Sequence, residues 1–96
     1  MNILEAHKKF RRHCRFEEQL QETTIKAMKA CTQTFVKRMG INELSQISLE
    51  LLREFFYEGM EMHEWSYWTF MNYLKYLKKF LGWCVDSGLI KDNPAI

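Results

Sequence analysis

Apolar residues recur along this chain at the three-to-four-residue spacing of amphipathic helices, and four segments carry the pattern. The first segment spans residues 3–18. The second spans residues 22–39, after which Gly40 is well placed to end a helix. Their apolar stripes are Ile3, Ala6, Phe10 and Cys14, followed by Ile25, Met28, Thr32, Phe35, Val36 and Met39.

Two further helices are predicted in the second half of the chain. The third begins after Ser48, a favourable N-cap, and reaches about Gly59. The fourth begins after Ser66 and continues to about Ser87, with Gly88 as its stop. The expected buried positions are Leu49, Leu52, Phe55 and Phe56, then Phe70, Tyr73, Leu74, Leu77, Phe80, Leu81 and Cys84. No segment alternates as a β-strand does, so the pattern predicts an all-α, compact four-helix bundle.

Length and composition fit one small domain with one hydrophobic core. The chain has 96 residues, of which 47% are hydrophobic and 15% aromatic. No apolar run approaches the roughly 18 residues of a membrane span, and the N-terminus lacks a secretory signal. The cysteines Cys14, Cys31 and Cys84 have no close pairing, which favours free thiols in a reducing compartment. We therefore expect a cytoplasmic protein that does not contact a membrane.

Opposite charges are separated along the chain, although the net charge is only +2. Residues 7–15 carry five lysines and arginines and no acid, whereas residues 45–64 carry five glutamates against Arg53 alone. The fourth segment holds lysines but no acid between Glu64 and Asp86. This separation favours one surface for a polyanion and a different surface for another role.

The residue types needed for catalysis or metal binding do not fall at productive spacings. His7, His13 and His63 form no i, i+4 pair, and no H-E-x-x-H segment is present. His13 and Cys14 are neighbours, but neighbouring side chains on a helix point about 100° apart. We therefore expect no catalytic residue, no metal site and no cofactor.

One face of the fourth helix has the composition of a nucleic-acid contact. Trp68, Asn72, Lys75 and Lys79 lie on the side opposite Leu77 at about 100° per residue. An aromatic ring, an amide and two ammonium groups suit base edges and phosphates. An ordinary solvated helix face is the alternative interpretation, although such faces usually interleave acids with lysines.

Two segments resemble the signature helices of a known family. They are "LQETTIKAMKACTQTFVKRMG" and "WSYWTFMNYLKYLKKFLGWCVDSGLIKDNP". Both resemble the N-terminal core-binding domain of tyrosine recombinases (phage integrases), a SAM-like helical domain. The matching positions are Thr24, Ile25 and Phe35, then Ser66, Thr69, Leu74, Leu77, Lys78, Phe80, Trp83, Gly88, Leu89, Ile90, Asn93 and Pro94. The departures are Gln21 for a capping serine, Met28 for tyrosine, and Phe70, Met71 and Asn72 in the second signature.

The resemblance implies a DNA-binding function without catalysis in this chain. Residues 1–92 correspond to the core-binding domain, one jaw of a clamp on duplex DNA, and residues 93–96 to the start of a linker. The implied partners are double-stranded DNA, the catalytic domain of the same parent chain and other recombinase protomers in a synaptic complex. The family's catalytic residues belong to that other domain, so this chain itself is expected not to be an enzyme.

The expected DNA contacts combine the resemblance with the outward helix faces. They are Thr24, Lys26 and Lys29 on the second helix, and Trp68, Thr69, Asn72, Lys75 and Lys79 on the fourth. The alternative is a helical protein–protein interaction module, which would act by SAM-like self-association or by docking through the acidic third helix. An independent enzyme is the third hypothesis.

Overall fold

The structure is a computed structural model that describes residues 1–95. Four helices and one short 3₁₀ turn account for the regular structure of this range: α1 Ile3–Phe16, α2 Glu22–Met39, the turn Leu44–Gln46, α3 Leu49–Glu61 and α4 Tyr67–Asp86. The radius of gyration is 12.8 Å, the value of a compact domain of this length. The prediction of an all-helical chain with four helices is confirmed.

Side-chain caps begin three of the four helices. The hydroxyl of Ser48 accepts from the N–H of Leu51, and the hydroxyl of Ser66 accepts from the N–H of Thr69, each at 3.1 Å. The side chain of Asn2 caps α1 in the same way. Gln21 precedes α2 in an extended conformation but makes no capping hydrogen bond. This is the position where the signature departs from serine.

The four helix ends share one arrangement, in which a residue in the left-handed region is followed by a hydrophobic residue that returns to the core. The left-handed residues are Gln19, Gly40, Glu64 and Gly88, and the returning residues are Leu20, Ile41, Trp65 and Leu89. The first helix ends at Phe16, two residues before the approximate end expected from the sequence, and the N–H of Leu20 donates to the carbonyl of Cys14 where the chain turns.

Gly59 does not end the third helix as the sequence suggested. It lies within α3, which continues to Glu61, and a Cβ at this position would overlap the ring of Trp65. The N–H of Trp65 donates to the carbonyl of Gly59 at 3.0 Å. A glycine is required here because an aromatic ring packs directly on the helix backbone.

The core is built around one phenylalanine from each helix. Phe10, Phe35, Phe55 and Phe80 are each at most 1% exposed, and the Phe10–Phe80 and Phe35–Phe55 ring centroids lie 5.5 and 5.0 Å apart. One predicted core position is wrong. Leu49, in the first turn of α3, is 41% exposed.

Residues at both ends of the described range contact the bundle. The N–H of Ile3 donates to the carbonyl of Asn42 at 2.8 Å, which pairs the N-terminus with the α2–α3 connection. At the other end, the Asn93 amide donates to the carbonyl of Lys78 at 3.3 Å, and Ala95 packs against the core. Residues 93–95 thus contact α4, and Ile96, the last residue of the expected linker start, lies outside the described range.

Within residues 1–95, every helix is too short or too polar to cross a lipid bilayer. Cys14, Cys31 and Cys84 are buried as free thiols. Burial raises the pKa of Cys31 and of Cys84 to about 12, so neither thiol is reactive at neutral pH.

Candidate nucleic-acid interface

A shallow groove runs between α2 and the N-terminal half of α4 and contains three of the predicted contact residues. Trp68, Thr69 and Asn72 line it from α4, and Ala27 and Ala30 line it from α2. Its volume is about 240 Å³. Because the α2 residues of the lining, Ala27, Ala30 and Cys31, all have small side chains, the helix backbone is open to close approach along this groove.

The three predicted contact residues in this groove differ in solvent exposure and in hydrogen bonding. Trp68 is 75% exposed, so its indole projects into solvent at the rim of the groove. The hydroxyl of Thr69 accepts from Ser66 at 3.1 Å and is part of the helix cap. The amide of Asn72 donates to the carbonyl of Trp68 at 3.0 Å, which fixes the side chain and leaves its oxygen as an acceptor.

The predicted contact lysines lie on two different surfaces of the domain. Lys75 is exposed on α4, whereas Lys26 and Lys29 are exposed on the part of α2 that faces α1. None of these three lysines takes part in an ion pair within residues 1–95. Thr24 is half-buried in the first turn of α2. All four lie on solvent-facing parts of the two helices that the sequence singled out.

Lys79 is placed differently from the expectation that its charge faces outward with Lys75. Its ammonium group donates to the Glu18 carboxylate at 2.8 Å, across 61 residues of sequence. The hydrogen bond from Lys79 lowers the pKa of Glu18, and the nearby His13 lowers it further. The pair forms because the segment after α1 lies alongside α4, a tertiary contact that helix periodicity cannot show.

The strongest concentration of positive charge lies between α1 and α2. This groove has a volume of about 320 Å³, and its lining includes six cations and one carboxylate, Glu22. The cations are Lys8, Arg11, Arg12, Arg15, Lys26 and Lys29. The four α1 residues were not among the predicted contacts, although the acid-free basic run over residues 7–15 was the signal that could have identified them.

Two arginines of this groove are held by defined contacts. Nη1 of Arg11 donates to Nδ1 of His7 at 2.5 Å, and His7 is only 1% exposed. Arg15 makes a two-point contact with Glu22, at 2.5 Å from Nε and 3.1 Å from Nη2. Both guanidinium groups therefore have contact partners within the domain.

A further depression of the surface, with a volume of about 660 Å³, lies between α1 and the C-terminal end of α4. Its lining mixes Lys9 and Arg12 with Glu17 and Asp86, and His13 on its wall is paired with Glu17 at 3.0 Å. Because these charges compensate one another, this depression has no preference for a polyanion.

The residues 1–95 hold no group of three or more histidine, cysteine or acidic side chains arranged to bind a metal ion. Comparisons of the chain with protein-family models, with curated proteins and with solved structures found no match.

Proposed function

We propose that this chain is a DNA-binding domain of the SAM-like core-binding type found in tyrosine recombinases, and that it forms one jaw of a clamp on duplex DNA. In this proposal the catalytic domain of the same parent chain is the other jaw, and further protomers join in a synaptic complex. The domain binds DNA in the cytoplasm and does not cut it.

One observation carries the proposal. An exposed indole stands at the rim of the α2–α4 groove, and both helices that form the groove carry exposed lysines that make no ion pair within residues 1–95. Lys75 is exposed on α4, and Lys26 and Lys29 are exposed on the part of α2 that faces α1. The lysines are suited to neutralising backbone phosphates, while Trp68 and the Asn72 oxygen are suited to the edges of bases.

The expected affinity of the isolated domain is low. Each phosphate contact adds roughly 0.9 to the slope of log K against log salt, and only a few contacts are available on this face. Tethering to a second DNA-binding domain would raise the affinity through effective concentration.

The test is a salt titration by fluorescence anisotropy with a labelled 20-base-pair duplex and the 96-residue chain. We expect Lys75→Ala to lower the salt slope by roughly 0.9, because one phosphate contact is lost. Trp68→Ala should weaken binding at every salt concentration and leave the slope unchanged, because the indole carries no charge.

The matched control is the double variant Arg53→Ala, Lys91→Ala, which removes two exposed cations outside α1, α2 and α4 and should bind as the wild type does. Absence of measurable binding by the wild type at 50 mM salt, or full binding by both α4 variants, would contradict the proposal.

A second candidate function, docking of a protein partner, is favoured by the surface at the end of α3. Tyr57, Met60 and Met62 are exposed there, beside the acidic residues Glu58 and Glu61. Exposed methionine and aromatic side chains are common at adaptable protein-binding surfaces. A basic, apolar partner segment would fit this surface.

A further inference from the structure

The α1–α2 groove brings six cations together with a single carboxylate, so its positive charges repel one another. The pKa of Arg11 is lowered, first by burial and then by the charge of Arg15. Glu22 offsets part of this repulsion through its contact with Arg15, but the groove retains a large excess of cations. A ligand that brings negative charge would relieve the repulsion.

The two held arginines are suited to phosphate oxygens. Arg11 is fixed through the buried His7, and Arg15 through Glu22. A guanidinium carries more N–H donors than these contacts use, so each arginine keeps donors for an incoming oxygen. These contacts restrict the two side chains, which reduces the conformational entropy that they lose on binding.

The length of the groove favours a chain of phosphates over a single anion. Lys8 and Arg15 are two helical turns apart on α1, which corresponds to about 10 Å along the axis. One strand of duplex DNA presents about three phosphates over that distance. Lys26 and Lys29 extend the positive charge onto α2, towards the groove that contains Trp68.

We infer that the α1–α2 groove is a binding track for the phosphodiester backbone of DNA, separate from the α2–α4 face and joined to it by α2. This assignment rests on the proposed function, since both surfaces would engage the same duplex. In this arrangement α1 and α2 hold one strand's phosphates, and the α2–α4 groove is presented to the bases.

The test uses the double variant Lys8→Ala, Arg12→Ala in the 96-residue chain with the same labelled 20-base-pair duplex. Both side chains are exposed, so the variant should unfold in urea at the wild-type midpoint. We expect the salt slope to fall by roughly 2, and the affinity at 50 mM salt to fall at least tenfold. The control variant Arg53→Ala, Lys91→Ala removes the same number of charges and should keep the wild-type slope.

A second measurement follows the NMR signals of the Arg11 and Arg15 side chains during binding. Titration with the duplex should shift the side-chain N–H resonances of Arg11 and Arg15 in NMR spectra of the wild type. Inorganic phosphate at the same phosphate concentration should shift them much less, because it cannot span the groove.

The outcomes separate this inference from the proposed function. A wild-type slope for Lys8→Ala, Arg12→Ala, with weakened binding by Trp68→Ala, would overturn the α1–α2 track and leave the proposed function standing. A lowered slope for the α1 variant, with full binding by both α4 variants, would support the track and overturn the proposed α2–α4 contact. Binding to phosphatidylserine vesicles and not to the duplex would overturn both.

Discussion

At the scale of single residues, His7 is the most unusual side chain of this protein. It is buried between the rings of Phe10 and Phe80, with centroid distances of 5.4 and 4.8 Å, and accepts a hydrogen bond from Arg11. Burial, and secondarily the charge of Arg11, lowers its pKa from 6.5 to about 3. The imidazole is therefore neutral in the folded protein at physiological pH, and its acceptor nitrogen orients an arginine of the α1–α2 groove.

His7 should make the folding stability depend on pH. Below pH 6.5 the unfolded chain binds a proton at this position, whereas the folded chain does not until the pH nears 3, so stability falls as the pH is lowered through this window. The expected slope is on the order of 1.4 kcal/mol per pH unit. Urea unfolding between pH 7 and pH 4.5 measures it, above the range in which the carboxylates contribute strongly.

The variant His7→Asn retains an acceptor for Arg11 but does not titrate. It should be less stable at pH 7 by roughly 2 kcal/mol, because its contacts with two aromatic rings are lost, and its stability should change less with pH. The exposed His63→Asn serves as the control and should keep the wild-type pH dependence. An unchanged slope in His7→Asn would show that His7 is not the titrating group.

At the scale of elements, the helices differ in how well their first turns are capped. Asn2, Ser48 and Ser66 each accept a hydrogen bond from the N–H three residues on, whereas Gln21 has the same extended backbone and no such bond. The first turn of α2 is therefore the one that lacks a side-chain cap, and it carries Thr24 of the predicted contact set.

Supplying the missing cap should stabilise the protein. Gln21→Ser should raise the free energy of unfolding by about 0.5–1 kcal/mol, because a hydroxyl can accept from the N–H of Thr24. Ser66→Ala, which removes an existing cap, should lower it by about 1 kcal/mol. Urea denaturation at pH 7 measures both changes, and a decrease in stability for Gln21→Ser would contradict the expected geometry.

At the scale of the whole molecule, α1 and α2 are predominantly basic and α3 is predominantly acidic. The groove cations lie on α1 and α2, while Glu50, Glu54 and Glu61 lie on α3. A dipolar charge distribution of this kind orients a molecule as it approaches a polyanion, so that its basic side arrives first. The acidic helix would then face away from DNA, where a protein partner could reach it.

Removing two negative charges from α3 tests whether this helix opposes the approach to DNA. Glu54→Gln, Glu61→Gln should accelerate association with the 20-base-pair duplex roughly twofold at 50 mM salt, because less negative charge opposes approach. The gain should vanish at high salt, and the slope contributed by phosphate contacts should not fall. Stopped-flow fluorescence measures the rate, and weaker DNA binding by this variant would place α3 in the DNA contact instead.

The sequence by itself determined the number, type and approximate bounds of the helices. Apolar spacing and serine caps depend on residues a few positions apart, so Ser48, Ser66 and the stripes that bury Phe10 and Phe80 were visible in the chain. The same local patterns showed that Lys26, Lys29 and Lys75 face outward. They also revealed the basic run of α1, although not what it faces.

Only the tertiary structure decided the features that depend on distant residues. The left-handed turns at Gln19 and Glu64 follow from hydrophobic residues that return to the core, and Gly59 is explained by the ring of Trp65. Contacts between residues that are distant in sequence also produce the pairing of Lys79 with Glu18 and the cationic groove between α1 and α2. Helix periodicity fixes the direction of a side chain from its own axis, but packing between helices fixes which charges meet.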